Sequence, residues 1–133
     1  MKLKDIIKKS SFQTTIINPL NFSVKDISIH SDQVRNNFMF AAIKGGSHHG
    51  IDFVKDLLNY KNIAVVLSKD DKIPKDFRKN NSVTFIQVND VRLFISKACS
   101  IFFRNTIKQK IAITGTNGKT SISFYVNQIW RKK

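Results

Sequence analysis

Acidic residues are scarce in this chain, 9 against 23 lysines and arginines, which leaves a net charge of +14 over 133 residues. Cysteine is scarcer still. Cys99 stands alone, so neither an internal disulfide framework nor a cysteine-based metal site is open to the chain. Its apolar helical neighbours Ala98 and Ile101 lead us to expect a buried structural thiol. No run of about 18 apolar residues occurs, which excludes a membrane-spanning helix of the usual length. The opening stretch, Met1 to Lys9, alternates lysines with apolar residues and carries Asp5, so it lacks the uninterrupted apolar core of a signal peptide. A cytoplasmic protein without membrane contacts is the expectation, and a monomer. Internal repeats and long low-complexity segments are also missing. The eleven phenylalanines are scattered at core-like positions and form no exposed stacking row, so ordinary packing accounts for them.

A positive balance of this size is common in nucleic-acid-binding domains. Here the basic residues are spread along the whole chain, beside abundant asparagine and isoleucine, the composition an AT-rich coding sequence tends to produce. Nucleic acid is therefore not the expected partner. A sugar nucleotide, with its phosphates, is a simpler consumer of the charge.

The segment Ile111-Ala112-Ile113-Thr114-Gly115-Thr116-Asn117-Gly118-Lys119-Thr120-Ser121 reads as a buried strand, a glycine loop and the first turn of a helix. In such an arrangement the loop N–H groups point inward, the glycines admit a phosphate close to the backbone, and the helix N-terminus favours negative charge. Lys119 would pair with β/γ-phosphate oxygens, and the Thr120 hydroxyl would reach Mg²⁺. The loop departs from the commonest phosphate-loop pattern, since Ile113 stands where a glycine would. A plainer reading has Gly115 and Gly118 merely shaping a turn, with Lys119 solvated. The apolar run before the loop, and Ile122, Val126, Ile129 and Trp130 at helical spacing after it, supply the context the phosphate reading needs.

The stretch Thr-Gly-Thr-Asn-Gly-Lys-Thr resembles the shortened ATP loop of the Mur ligases and their folylpolyglutamate synthetase relatives. Its wording is most similar to the MurE type, which adds the third amino acid, diaminopimelate or lysine, to UDP-N-acetylmuramoyl-L-alanyl-D-glutamate in peptidoglycan synthesis. The resemblance implies ATP and Mg²⁺ as cofactors, with Gly115, Thr116, Asn117, Gly118, Lys119, Thr120 and Ser121 around the nucleotide. Lys119 and Thr120 would be catalytic, and Thr120 a metal ligand. Upstream, His30-Ser31-Asp32, Phe38-Met39-Phe40-Ala41-Ala42, Gly45-Gly46-Ser47-His48-His49 and Gly50-Ile51-Asp52-Phe53 follow the order of motifs in the family's UDP-binding domain. His30 and Asp32 replace an acid and a base of the family pattern. Carried over residue by residue, Ile29 and Ser31 would touch the uracil, and Gly46, Ser47 and His48 the uridine and its neighbouring phosphate. An exposed polar loop with no ligand role is the plainer reading of His48 and His49, and the adjacent pair is a poor start for a metal site.

Between these motifs the periodicity predicts an α/β fold with a mostly parallel sheet. Helices are expected over residues 2–9, over 52–60 with Asp52 capping, and over 91–103. Strands are expected at Phe38–Ile43, Ile63–Leu67 and Val83–Val88, and a fourth at Ile111–Thr114 opens a second domain. The expected division is 1–107, an N-terminal UDP-substrate-binding α/β domain, and 108–133, the first strand, phosphate loop and helix of a truncated ATP-binding α/β domain, with polar residues 105–109 at the boundary. The implied chemistry is ATP-dependent amide-bond formation through an acyl phosphate. The family's remaining magnesium ligands and its amino-acid pocket would lie beyond residue 133, so the chain by itself is expected to be inactive. Alternatives are a catalytically inactive UDP-sugar-binding module, the sister MurF-type ligase that adds the terminal dipeptide, and a nucleic-acid-binding protein.

Overall fold

The computed structural model describes residues 1–46, 48–77, 81–103 and 111–131. Ser47 and the boundary expected at 105–109 lie outside the described residues. The chain opens with helix α1, Leu3–Ser10. Leu3 and Ile6 share its buried face, Asp5 sits in the first turn and Lys8 and Lys9 in the last, each charge matching the helix dipole. Strand β1 (Thr15–Ile17) and strand β2 (Asp26–Ser28) follow, then β3 (Phe38–Ala41), β4 (Ile63–Ser68), β5 (Val83–Val88) and helix α2 (Val91–Phe102). Asp90 caps α2, its carboxylate accepting the Leu93 N–H at 2.9 Å.

The strands form one sheet in the order β1-β5-β4-β3-β2. Strands β2 to β5 pair in parallel and only β1, on the edge, runs antiparallel to its neighbour. The expected α/β architecture with a mostly parallel sheet is therefore what the chain adopts. Alternation along the strands divides the core in two. Met39, Ala41, Ala64, Val66, Ile86 and Val88 face α1 and α2, where Leu3, Ile6, Phe94 and Ala98 meet them. Phe40, Ile63, Val65, Leu67, Val83 and Phe85 face the other way, onto Val34, Val54, Leu57 and Phe77. Burial on both sides explains why β4 reads as an unbroken apolar run.

Four expectations are corrected. The strand at Phe38 stops at Ala41, because the chain turns back there: the Ile43 N–H bonds the Ala41 carbonyl. The helix expected over 52–60 is a 3-10 helix, Gly50–Leu57, capped by His49 and not by Asp52. The His49 imidazole accepts the Ile51 N–H while Asp52 accepts the His49 N–H, a reciprocal capping box that starts the element two residues early. Ile111–Thr114, expected as a strand, forms no ladder among the described residues, and a strand is defined by its ladder. Cys99 is half-buried, not fully enclosed, at the margin of the core under α1 and α2. Helix α3, Lys119–Trp130, forms as expected, but Ile122, Phe124, Tyr125, Ile129 and Trp130 are all exposed.

Candidate functional site

In parallel sheets the carboxyl ends of the strands are where loops gather side chains into a site. At the ends of β2 and β3 the loops enclose a cleft of about 230 Å³ lined by Ile29, His30, Ser31, Asp32, Phe40, Ile43, Gly45, His48, Gly50 and Phe53. Three of the sequence-predicted substrate residues, Ile29, Ser31 and His48, meet there from segments far apart in the chain. Gly46 lies in the same loop but does not line the cleft.

Local bonding fixes each wall. The buried Ser28 hydroxyl donates to the His30 carbonyl at 2.9 Å and accepts the His30 N–H at 3.0 Å, which closes the turn carrying Ile29. The Ser31 hydroxyl donates to Asp56 Oδ2 at 3.4 Å. Arg35 Nη1 donates to the carbonyls of Asp32 and Val34, both at 2.7 Å, and holds the following turn. Opposite, Lys44 and His49 form an antiparallel bridge, the Gly45 N–H bonds the His48 carbonyl at 2.9 Å, and the Gly50 N–H bonds the Ile43 carbonyl at 3.0 Å. Gly50 is required by close approach: a Cβ there would stand 2.6 Å from Ala42 Cα and from the Ile43 nitrogen. The His48 ring meets Phe53 edge-on, with centroids 6.1 Å apart. Ile29, Phe40, Ile43 and Phe53 supply apolar surface, while Ser31 and the histidines supply polar edges.

The two loop histidines part company. His48 faces the cleft, whereas His49 turns away and pairs with Asp71 at 3.0 Å across Nε2 and Oδ1. Sequence reasoning missed this pair, as it missed Asp56 and the lining role of Phe53. Phe53 carried a signal in the Gly50-to-Phe53 motif. Asp56 and Asp71 carried none, because their partners are 25 and 22 residues away respectively, by the residue numbers of the bonds they make.

The glycine loop has its own geometry. Gly118 is left-handed, at φ 77°, where a side chain would be strained, and it leads directly into α3. Lys119 Nζ donates to the Gly115 and Thr116 carbonyls, the second at 3.1 Å, so the ammonium is held over the loop. The first N–H groups of α3 have no acceptor within their own helix and are available to an anion. The cationic side chain, the obligate glycine and the helix start suit a phosphate chain, and Thr120 adds a hydroxyl of the type that ligates Mg²⁺. Among the described residues no group of three or more histidines, cysteines and acids could hold a metal ion. None of their helices is long and apolar enough to cross a membrane.

No protein-family model matches the chain. Curated proteins do. A UDP-N-acetylmuramoyl-L-alanyl-D-glutamate–2,6-diaminopimelate ligase of Rickettsia felis is 37% identical over 110 residues, which is 81% of this chain and 19% of the relative. Its counterpart in Rickettsia typhi is 36% identical over 117 residues, 85% of this chain and 22% of the relative. Over most of its length the chain is homologous to Mur ligases of the MurE type. A third such ligase, from Clostridium acetobutylicum, is 27% identical over 132 residues, 97% of this chain and 26% of its own. The chain thus spans about a fifth to a quarter of the length of the Mur ligases it matches.

Proposed function

We propose that the chain supplies the UDP-substrate domain and the ATP loop of a peptidoglycan ligase that adds the third amino acid to UDP-N-acetylmuramoyl-L-alanyl-D-glutamate. The observation that carries this reading is the meeting of Ile29, Ser31 and His48 around one cleft, in a chain homologous to MurE-type ligases over most of its length. A uracil ring is flat and apolar on its faces and polar along its edge. Ile29 and Phe53 offer surface for a face, and the Ser31 hydroxyl can exchange its bond to Asp56 for one to a ring carbonyl. His48 and the Gly45 backbone then border the ribose and the first phosphate.

At the second site, ATP with Mg²⁺ would supply the phosphoryl group that activates the substrate carboxylate. Lys119 neutralises phosphate charge, the N–H groups at the start of α3 orient it, and Thr120 offers a metal ligand. Nucleotide binding without turnover is the behaviour we assign to these residues by themselves.

Calorimetric titration of the chain with UDP and, separately, with ATP and Mg²⁺ tests both sites. Ser31→Ala together with Ile29→Ala should weaken UDP at least roughly 10-fold and leave ATP unaffected, and Lys119→Ala should do the reverse. Absence of UDP binding at millimolar concentration, or phosphate release on adding substrate and amino acid, would refute the assignment.

A further inference from the structure

Behind the cleft, at the carboxyl ends of β3, β4 and β5, lies a second hollow of about 340 Å³ whose walls include Lys44, His49, Asp71 and Arg92. Its polar groups are bonded to one another in a way that bears on the loop in front. The His49 Nδ1 accepts the Ile51 N–H at 3.3 Å, so in the neutral ring the proton sits on Nε2, and that N–H donates to Asp71 Oδ1 at 3.0 Å. The other oxygen of Asp71 accepts the Ser68 N–H at 3.0 Å, beside the end of β4. One carboxylate thus joins the rigid central strand to the loop whose opposite face carries His48. Arg92, in the first turn of α2, adds a second tie from Nη2 to the Lys44 carbonyl at 3.2 Å.

We infer that Asp71, which does not line the cleft, is a positioning residue that sets the affinity of the cleft by clamping the Lys44–His49 loop through His49. The inference rests on the reading of that cleft as the uridine site. A loop free to lift from the sheet would populate its binding-competent form only part of the time, and apparent affinity falls by that fraction. The clamp is partly shielded, since the side chains of His49 and Asp71 are 25% and 12% exposed, so it escapes much of the screening that weakens surface pairs. The two donors lie against different oxygens of Asp71, His49 Nε2 on Oδ1 and the Ser68 N–H on Oδ2. Asparagine puts an NH2 group, itself a donor, in one of those two places, so Asp71→Asn gives up either His49 or Ser68.

The test uses the whole chain with Asp71→Asn, His49→Asn and the double variant. Asparagine at 49 can still accept the Ile51 N–H but cannot reach Asp71. Amide hydrogen exchange at Gly45 and Gly50, whose N–H groups close the loop, is read beside UDP affinity and the urea midpoint. Each single variant should speed exchange at Gly45 and Gly50 and weaken UDP by roughly 5-fold, and the double variant should add nothing further. Unchanged exchange in Asp71→Asn, independent addition of the two effects, or a uniform rise in exchange across the sheet would each overturn the clamp. Should the parent chain fail to bind UDP, the uridine reading falls while the exchange measurements still decide whether Asp71 holds the loop.

Discussion

Replacing Gly50 by alanine isolates the contact on which the loop is built. The added methyl would lie 2.6 Å from Ala42 Cα, 2.6 Å from the Ile43 nitrogen and 2.7 Å from the Ala42 carbonyl carbon. All three are backbone atoms, and Ala42 cannot retreat, because its N–H bonds the Val66 carbonyl at 2.8 Å across to β4. Relief must come from the Gly50 side, by lifting the loop and stretching the Gly50 N–H bond to Ile43. Inserting one methyl into a packed site costs about 1–3 kcal/mol, and three backbone contacts this short put the cost at about 3 kcal/mol. A domain of this size has a total stability of about 5–15 kcal/mol, so the loss is large but leaves a folded chain. Urea unfolding followed by far-ultraviolet circular dichroism reads it as a lower midpoint at unchanged slope. Gly46→Ala is the matched control: a Cβ there meets nothing within 4 Å, so its unfolding free energy should stay within about 0.5 kcal/mol of the parent's. Equal midpoints for Gly50→Ala and the parent would refute the close-approach argument.

Two further expectations follow from the core. Thr84 is fully buried on β5 and its hydroxyl donates to the Ile17 carbonyl at 3.2 Å, so Thr84→Val should cost about 1 kcal/mol and speed amide exchange in β1 more than in β4. Unaltered exchange in β1 would deny that bond a role in docking the edge. Burial, and to a smaller degree the charge of Asp26, push the Cys99 thiol above its ordinary value. The native state therefore disfavours the thiolate more than the unfolded chain does. The sign follows: the stabilisation is complete below the unfolded thiol value and is lost as pH rises through the higher folded one. Cys99→Ser should flatten that alkaline decline, and Cys99 in the native chain should alkylate more slowly than a free thiol at pH 8.

Helices α1 and α2 and strands β4 and β5 were legible because their burial is one-sided or complete over six or more residues, which leaves an unmistakable period or run. Thr15–Ile17 carried no such mark. It is three residues long, at an edge, and half-exposed, so β1 exists through its pairing with Phe85–Gln87 and not through its own pattern. The early start of Gly50–Leu57 was hidden for a related reason, since an imidazole is an unusual cap and its orientation depends on Asp71. Ile29, Ser31 and His48 were named through a resemblance, because nothing in their spacing would have joined them. Asp56 and Asp71 became visible only when the fold brought distant segments together.

The order β1-β5-β4-β3-β2 has a temporal consequence. As a ribosome releases the chain, β2, β3, β4 and β5 emerge in the sequence in which they lie side by side, so each new strand adds to the edge left by the one before. Strand β1 emerges before all of them yet has its seat on β5, with Thr15 opposite Gln87. Its pairing closes the longest loop in the sheet and must wait until the last strand is made. The first strand out is the last strand home, received by the Phe85–Gln87 ladder with the hydroxyl of Thr84 beside it.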